Sequence, residues 1–119
     1  MTTLPEDSKA RTMFPMAEGC LDYFPNALAA VAHLSLAGTM QHHPGEPMHW
    51  DRSKSTDHAN KIIRHLMDRG KFFTIGSERV RHSAAVAWRA LAELQEEIER
   101  DEDLPMSRAS SDDGAEHAA

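Results

Sequence analysis

The sequence predicts an all-α fold: a small bundle of three main helices with an irregular N-terminal leader and a disordered C-terminal tail. Three stretches support this prediction. Residues 77–100 carry apolar side chains at steps of three and four, residues 27–43 are rich in alanine and leucine, and residues 57–69 lie between helix-capping residues and a glycine. No heptad pattern persists, which argues against a coiled coil.

The stretch 77–100 is the element around which the others are expected to pack. Its apolar residues share one side of a 3.6-residue period: Val80, Ala84, Ala87, Trp88, Leu91, Leu94 and Ile98. Ser77 follows Gly76 and is predicted to cap this helix, and Glu78 lies where the helix dipole favours an anion. Such a long apolar face needs a cover, which only the upstream segments can supply.

Residues 1–24 are predicted to form the leader, because prolines and a glycine interrupt the segment while apolar side chains would anchor it to the bundle. The first main helix is predicted over 27–43, with Asn26 as its N-cap and Pro44 after its end. This helix is apolar nearly all round, which is typical of a central helix with several neighbours.

The second main helix is predicted over 57–69, and Gly70 ends it. The following segment, 71–75 (KFFTI), is too short to assign by periodicity. It is either a connector with Phe72 and Phe73 buried or a brief strand.

The length of 119 residues suits one folding domain. Composition divides the chain into a flexible N-terminus (1–12), a helical domain (13–103) and a disordered acidic tail (104–119), since the ends are too polar to form a core. The remaining segment, about 90 residues, makes a marginal core for one protomer, so a homo-oligomer is expected. The net charge of −6 argues against stable nucleic-acid binding.

The one cysteine, Cys20, allows no disulfide within the chain, which fits a reducing compartment. The N-terminus lacks the apolar region of a secretory signal, and no apolar run approaches the length of a bilayer span. We therefore expect a cytoplasmic protein with no membrane partner.

Several well-known sites are absent from the sequence. It has no GxxxxGK[ST] or GxGxxG loop for nucleotide phosphates and no CxxC or HExxH motif for zinc. What remains is a set of cationic and imidazole side chains: Lys54, Lys61, Arg64, His65, Arg81, His82 and Arg89. They are either solvated faces of the last two helices or a phosphate site, because guanidinium groups bind phosphate with paired hydrogen bonds.

Three other residues have two interpretations each. Trp50 lies in a polar loop, where it either pins the loop to the core or offers a ring face to a nucleobase. Asp22 is either a helix cap or surface residue, or a ligand. His33 is either a hydrogen-bonded core residue or a ligand.

Four segments follow one another along the chain in a distinctive order. They are GCLDYFPNAL at 19–28, Trp50, Ser55 through Arg64-His65, and HSAAVAWRAL at 82–91. Together they resemble the GKPRxDLxPxxAL opening, Asn-Trp loop, Ser-x(n)-Arg-His segment and His-Leu-Ala-His-x-x-Trp-Asn-Ala-Leu helix of a phage-borne family. That family is named for the dATP/dGTP diphosphohydrolase N-terminal domain. The resemblance covers about residues 18–95.

The resemblance implies a relative of MazG-like nucleotide pyrophosphatases, in which carboxylate-bound Mg²⁺ helps water cleave between the α and β phosphates. The implied function is a phage-type (deoxy)purine nucleoside triphosphate diphosphohydrolase, working in the host cytoplasm. His65 and His82 would be catalytic, and Asp22 and Asp51 would hold Mg²⁺. The remaining candidates would bind the nucleotide: Trp50, Lys54, Lys61, Arg64, Arg81 and Arg89.

The chain departs from the family pattern at positions that matter for catalysis. Ala85 stands where the family has a second histidine, Arg89 where it has asparagine, and His33 where a glutamate is common. The first two helices also lack the paired ExxE carboxylates of MazG-like enzymes. These departures favour an alternative, a non-catalytic sponge for a signalling (cyclic or modified) nucleotide. A third alternative is a structural or protein-interaction role.

Overall fold

A computed structural model of the chain describes residues 4–112. The described part is 53% helical, with five helices, and its two small sheets contain 11% of the residues. The all-α prediction is therefore wrong, and the fold is mixed although mostly helical. Among these residues, no helix has the combination of length and apolar composition that crossing a bilayer requires.

Two short helices lie in the segment that we predicted to be an irregular leader. They are α1 (Ser8–Arg11) and a π-helix (Ala17–Leu21). The carboxylate of Asp7 accepts a hydrogen bond of 2.8 Å from the backbone N–H of Ala10, which caps α1. The prediction missed this cap because it weighed only the prolines. Neither short helix contains a buried residue.

The three longer helices correspond to the three predicted ones. They are α2 (Pro25–His42), α3 (His58–Met67) and α4 (His82–Asp101). Helix α4 packs against both α2 and α3. The first two begin and end within two residues of the predicted bounds, whereas α4 begins five residues later than predicted.

The late start of α4 results from a β-hairpin that the prediction of a helix over 77–100 did not contain. Strand β2 (Phe72–Ile75) pairs antiparallel with β3 (Glu78–Arg81). The segment KFFTI is therefore a strand, which was one of its two interpretations. Ser77 lies in the turn and does not cap a helix.

Turn geometry and side-chain alternation explain the hairpin. Gly76 has φ +61° at the first position of the two-residue turn, where a type II′ turn takes glycine. In β3 the buried Val80 lies between the exposed residues Arg79 and Arg81, which is the period-two pattern of a strand with one covered face. Val80 lies opposite Phe73 of β2.

A second, parallel sheet joins the loop after α2 to the C-terminal segment. It consists of β1 (Trp50–Asp51) and β4 (Ser110–Ser111). The backbone N–H of Trp50 donates to the carbonyl of Ala109 at 2.7 Å, and that of Arg52 donates to the carbonyl of Ser111 at 2.8 Å. These bonds fix the C-terminal segment beside the loop.

The prediction of a disordered tail from residue 104 is consequently wrong for 104–112. Composition suggested disorder because the residues of this segment are small and polar. In the folded chain, however, its serines form hydrogen bonds with Arg52 and Glu99. The rest of the predicted tail, 113–119, lies outside the described residues.

The hydrophobic core is small and lies where α2, the hairpin and α4 meet. Leu34, Val80 and Ala85 form its buried centre, and three partly buried side chains pack against them: Phe73, Ile75 and Trp88. The indole N–H of Trp88 donates to the hydroxyl of Ser35 at 2.8 Å, which ties α4 to α2.

Candidate functional site

A cavity of about 720 Å³ lies between α2, α3, α4, the hairpin and the β1–β4 sheet. Its apolar part includes Leu34, Ile75 and Trp88, and its cationic part includes Arg64 and Arg89. The volume falls in the range of small-molecule sites, which is about 300–1,000 Å³. Four other predicted residues also line it: Trp50, Asp51, Lys54 and His65.

Two tryptophans stand side by side in the wall of this cavity. The rings of Trp50 and Trp88 meet edge to face, with centroids 5.6 Å apart. The guanidinium carbon of Arg52 lies 3.6 Å from the ring centroid of Trp50, so one face of that ring is covered. The indole N–H of Trp50 is buried with no hydrogen-bond partner in the described residues. Trp50 therefore pins its loop to α4 and also presents an unused donor.

A cationic triplet, which we define as Lys61, Arg64 and Arg89, lies on α3 and α4. Arg64 and Arg89 line the cavity, whereas Lys61 does not line it but lies close enough for their charges to act on it. Burial lowers the pKa of Lys61, and the charges of Arg89 and Arg64 lower it further, against an opposing effect of Asp57. Burial and the charge of Arg64 likewise lower the pKa of Arg89. Within residues 4–112 no carboxylate forms an ion pair with the triplet. The acidic residue that lines the cavity is Asp51, and its carboxylate is hydrogen-bonded to Ser53 and His43.

Arg89 is held in place by contacts from α3 and the segment before it. Its Nη1 donates to the carbonyl of Thr56 at 3.2 Å and to Nδ1 of His58 at 3.3 Å. Because a guanidinium has no acceptor, Nδ1 of His58 must accept. The ring proton of His58 then lies on Nε2, which faces Glu96 at 3.1 Å. This chain of contacts orients Arg89.

The two predicted catalytic histidines do lie together. Nδ1 of His65 and Nδ1 of His82 are 2.9 Å apart, and Phe73 packs against both rings. Burial lowers the pKa of His65, and the charges of Arg64, His82 and Arg89 lower it further, with Asp68 opposing them. This favours the neutral ring of His65. Only His65 of the pair lines the cavity.

Arg81 and Asp22 lie away from the other candidates. The guanidinium carbon of Arg81 is 4.5 Å from the ring centroid of Phe72, and Arg81 lines a separate cavity of about 110 Å³ with Arg79. Asp22 is exposed at the end of the π-helix and does not line the large cavity. His33, the third ambiguous residue, faces Glu78 across 2.8 Å.

The donor set for the implied Mg²⁺ does not fit. Asp51 is buried, and its Oδ1 accepts from the backbone N–H and hydroxyl of Ser53 while its Oδ2 faces His43 at 3.1 Å. Burial raises the pKa of Asp51, but these hydrogen bonds outweigh it and hold the pKa below its ordinary value. In residues 4–112, no three His, Cys, Asp or Glu side chains are grouped to hold a metal. Mg²⁺ needs several hard oxygen ligands.

The sequence reasoning missed the contact that closes one wall of the cavity. Arg52 donates from Nη1 and Nη2 to the two carboxylate oxygens of Glu99 at 3.0 and 3.1 Å. Glu99 also accepts from the side chain of Gln95 and the backbone N–H of Ser107, each at 2.8 Å. Ser107 and Ala109 are thereby held against the cavity, which both of them line.

A spacing signal for this contact was present in the sequence. Trp88, Ala92, Gln95 and Glu99 recur at steps of four, three and four, which places Glu99 on the covered side of α4. A carboxylate on a covered face needs a partner, and that requirement indicates an arginine nearby.

No family model, curated protein sequence or solved structure matches this chain. The fold and the site therefore define the class of protein on their own: a small, mostly helical protein with an apolar cavity and unpaired cations beside it.

Proposed function

We propose that the chain binds a nucleotide in the large cavity and holds it without hydrolysis. The observation that carries the proposal is the cationic triplet, which has no carboxylate partner in residues 4–112 although the chain has a net charge of −6. Like charges at close range oppose one another's ionisation, so a bound anion would relieve this repulsion. Arg64 and Arg89 offer guanidinium groups, which bind phosphate with paired hydrogen bonds.

The apolar part of the cavity supports a nucleotide rather than a simple anion. Leu34, Ile75 and Trp88 line the same space as the two arginines. A nucleotide has a highly charged end and a flat, weakly polar base, so it matches both halves of the cavity.

Hydrolysis of a (deoxy)purine nucleoside triphosphate to a monophosphate and pyrophosphate is the second candidate. The hydrogen-bonded pair of His65 and His82 favours it, because an imidazole next to Arg64 is suited to orienting or deprotonating water. The positions of Asp22 and Asp51 argue against it, since they form no shared carboxylate site. Sequestering a cyclic or modified signalling nucleotide needs cations and no metal-binding carboxylates. The carboxylate of Asp51 lines the cavity but is already hydrogen-bonded to Ser53 and His43, which supports the first candidate.

Calorimetry on the full chain with a graded ligand series tests the proposal. The series is deoxyguanosine, dGMP, dGTP and a cyclic dinucleotide, each with and without Mg²⁺. We expect binding by the phosphorylated ligands and none by deoxyguanosine, because the nucleoside carries no charge for the cationic triplet. We also expect chromatography to recover every bound ligand intact.

Each other outcome has a definite meaning. Equal binding of deoxyguanosine would remove the anion-binding role of the arginines. Release of dGMP and pyrophosphate from dGTP would support the second candidate over the first. A lack of binding by all three phosphorylated ligands would overturn both.

A further inference from the structure

The outward side of α2 is an apolar surface without a partner in the described residues. Ala29, Ala32, Leu36 and Met40 are all exposed, with Leu36 at 41% and Met40 at 45% of full exposure. They recur at steps of three, four and four, so they form one stripe along the helix. We call this stripe the α2 face.

The composition of α2 is unusual for a helix with an exposed side. Its 18 residues include no Asp, Glu, Lys or Arg, whereas α3 and α4 both carry charged residues on their exposed sides. A surface helix ordinarily places charges on the side away from the core. The α2 face therefore has the composition of a buried surface although the single chain leaves it open.

We propose that two copies of this chain pair through the α2 face, with the two α2 helices antiparallel about a two-fold axis. The side chains of the stripe are small in its N-terminal half and large in its C-terminal half. In an antiparallel pair, Ala29 of one copy meets Met40 of the other, and Ala32 meets Leu36. Small residues thus lie opposite large ones along the whole contact, and a two-fold axis makes the surface complementary to itself.

The absence of charge on α2 favours a second copy as the occupant. Two chains that each carry a net charge of −6 repel one another over most surfaces. At the α2 face no ionised side chain of α2 itself opposes the approach. A highly charged partner would find no complementary charge there.

The proposal is independent of ligand binding. None of the four residues of the α2 face lines the large cavity, and the pairing is measured without a ligand. A failure of this proposal and a failure of nucleotide binding are therefore separate results.

Light scattering coupled to size-exclusion chromatography tests the pairing on the full chain. We expect a mass of twice 13.3 kDa for the unmodified chain and of one protomer for Leu36→Glu. The matched control is Ile63→Glu, at a 60% exposed apolar residue on α3, which should keep the dimer mass. A monomeric unmodified chain, or a dimer that Leu36→Glu leaves intact, would overturn the proposal.

Cross-linking tests the orientation and does not depend on Leu36→Glu folding. In a Cys20→Ser background, an oxidised mixture of Ala29→Cys and Met40→Cys chains should form a disulfide between the two. Ala29→Cys alone should not, because residue 29 and its symmetry mate lie about 16 Å apart along the axis, beyond disulfide reach. Equal cross-linking by Ala29→Cys alone would exclude the antiparallel arrangement.

Discussion

Arg64 lies beside the cavity and has no hydrogen bond or ion pair from its side chain to another described residue. Its free guanidinium makes it the best single residue with which to test the anion site. We predict that Arg64→Ala weakens binding of dGTP about 10- to 100-fold, because one charge-assisted contact contributes about 1.5–3 kcal/mol. Calorimetry measures the change.

The matched control for that substitution is Arg79→Ala. Arg79 is an exposed arginine of the hairpin that packs on Phe72 and does not line the large cavity. Its loss should leave dGTP affinity within about twofold. Equal losses from the two variants would mean that net charge, and not the site, determines binding.

The pKa of His65 depends on the charges at the same site. Burial and the neighbouring charges of Arg64 and Arg89 lower its pKa below the ordinary value of 6.5. A phosphate bound to these arginines cancels part of their charge, so we predict that ligand binding raises the pKa of His65. An NMR titration of its ring nitrogens, with and without dGTP, measures the shift.

The control is His33, which lies outside the large cavity and faces Glu78. At a fixed pH, its ring-nitrogen signals should not shift when dGTP binds. If the pKa of His65 falls or stays constant in the bound state, the phosphate does not lie beside Arg64 and Arg89.

At the scale of single elements, Gly76 decides whether the hairpin forms. Its φ of +61° is a conformation that residues with a Cβ rarely adopt, although open space surrounds the position a Cβ would take. We predict that Gly76→Ala lowers the free energy of unfolding by about 1–2 kcal/mol. Urea unfolding followed by circular dichroism measures the loss.

At Gly38 we expect the same substitution, glycine to alanine, to have the opposite effect on stability. Gly38 lies inside α2 with helical φ and equally open space around its Cβ position. We predict a gain of about 0.5–1 kcal/mol, because alanine lowers the entropy of the unfolded chain. A loss at both glycines would show that space, and not backbone conformation, controls the effect.

The sequence was sufficient to predict the long helices but not the hairpin. The alanine- and leucine-rich composition located α2, the capping residues and Gly70 located α3, and the apolar spacing located most of α4. Val80 lies four residues before Ala84, which continues the helical spacing of α4 backwards. The four residues of β3 provide too few alternations to outweigh that pattern, although the turn glycine was visible.

An element boundary separates two candidate site residues that were predicted to lie on one helix. Arg81 and His82 are adjacent in sequence, yet Arg81 ends β3 and points to the smaller cavity while His82 begins α4 and meets His65. A continuous helix would have placed them 100° apart on one surface. Helical spacing did bring His65 and Arg64 to the right region, since α3 was predicted correctly.

At the scale of the whole molecule, acid should destabilise the fold through Glu99 and Asp51. Burial raises the pKa of both, but hydrogen bonds outweigh it and keep each pKa below the ordinary values of 4.5 and 3.8. The folded chain therefore binds fewer protons than the unfolded chain in this window. Their stabilisation is complete above about pH 5 and is lost as the pH falls through the folded-state pKa values.

Glu99→Gln tests this linkage. We predict a loss of about 3 kcal/mol in the free energy of unfolding at pH 7, since the buried charge of Arg52 then keeps only Glu96, at 3.6 Å, as a charged partner. The variant should also lose less stability than the unmodified chain between pH 5 and pH 3. Glu97→Gln, at an exposed position of α4, should change neither quantity, and a slope unchanged by Glu99→Gln would assign the acid sensitivity elsewhere.

The β1–β4 pairing also has a consequence for synthesis on the ribosome. Ser107 and Ala109 line the cavity, and they are translated after every helix that the structure describes. A nascent chain can therefore pack α2, α3 and α4 while one wall of the cavity is still missing. Ligand recognition has to wait until residue 111 leaves the exit tunnel, so translation itself would prevent early capture of the ligand.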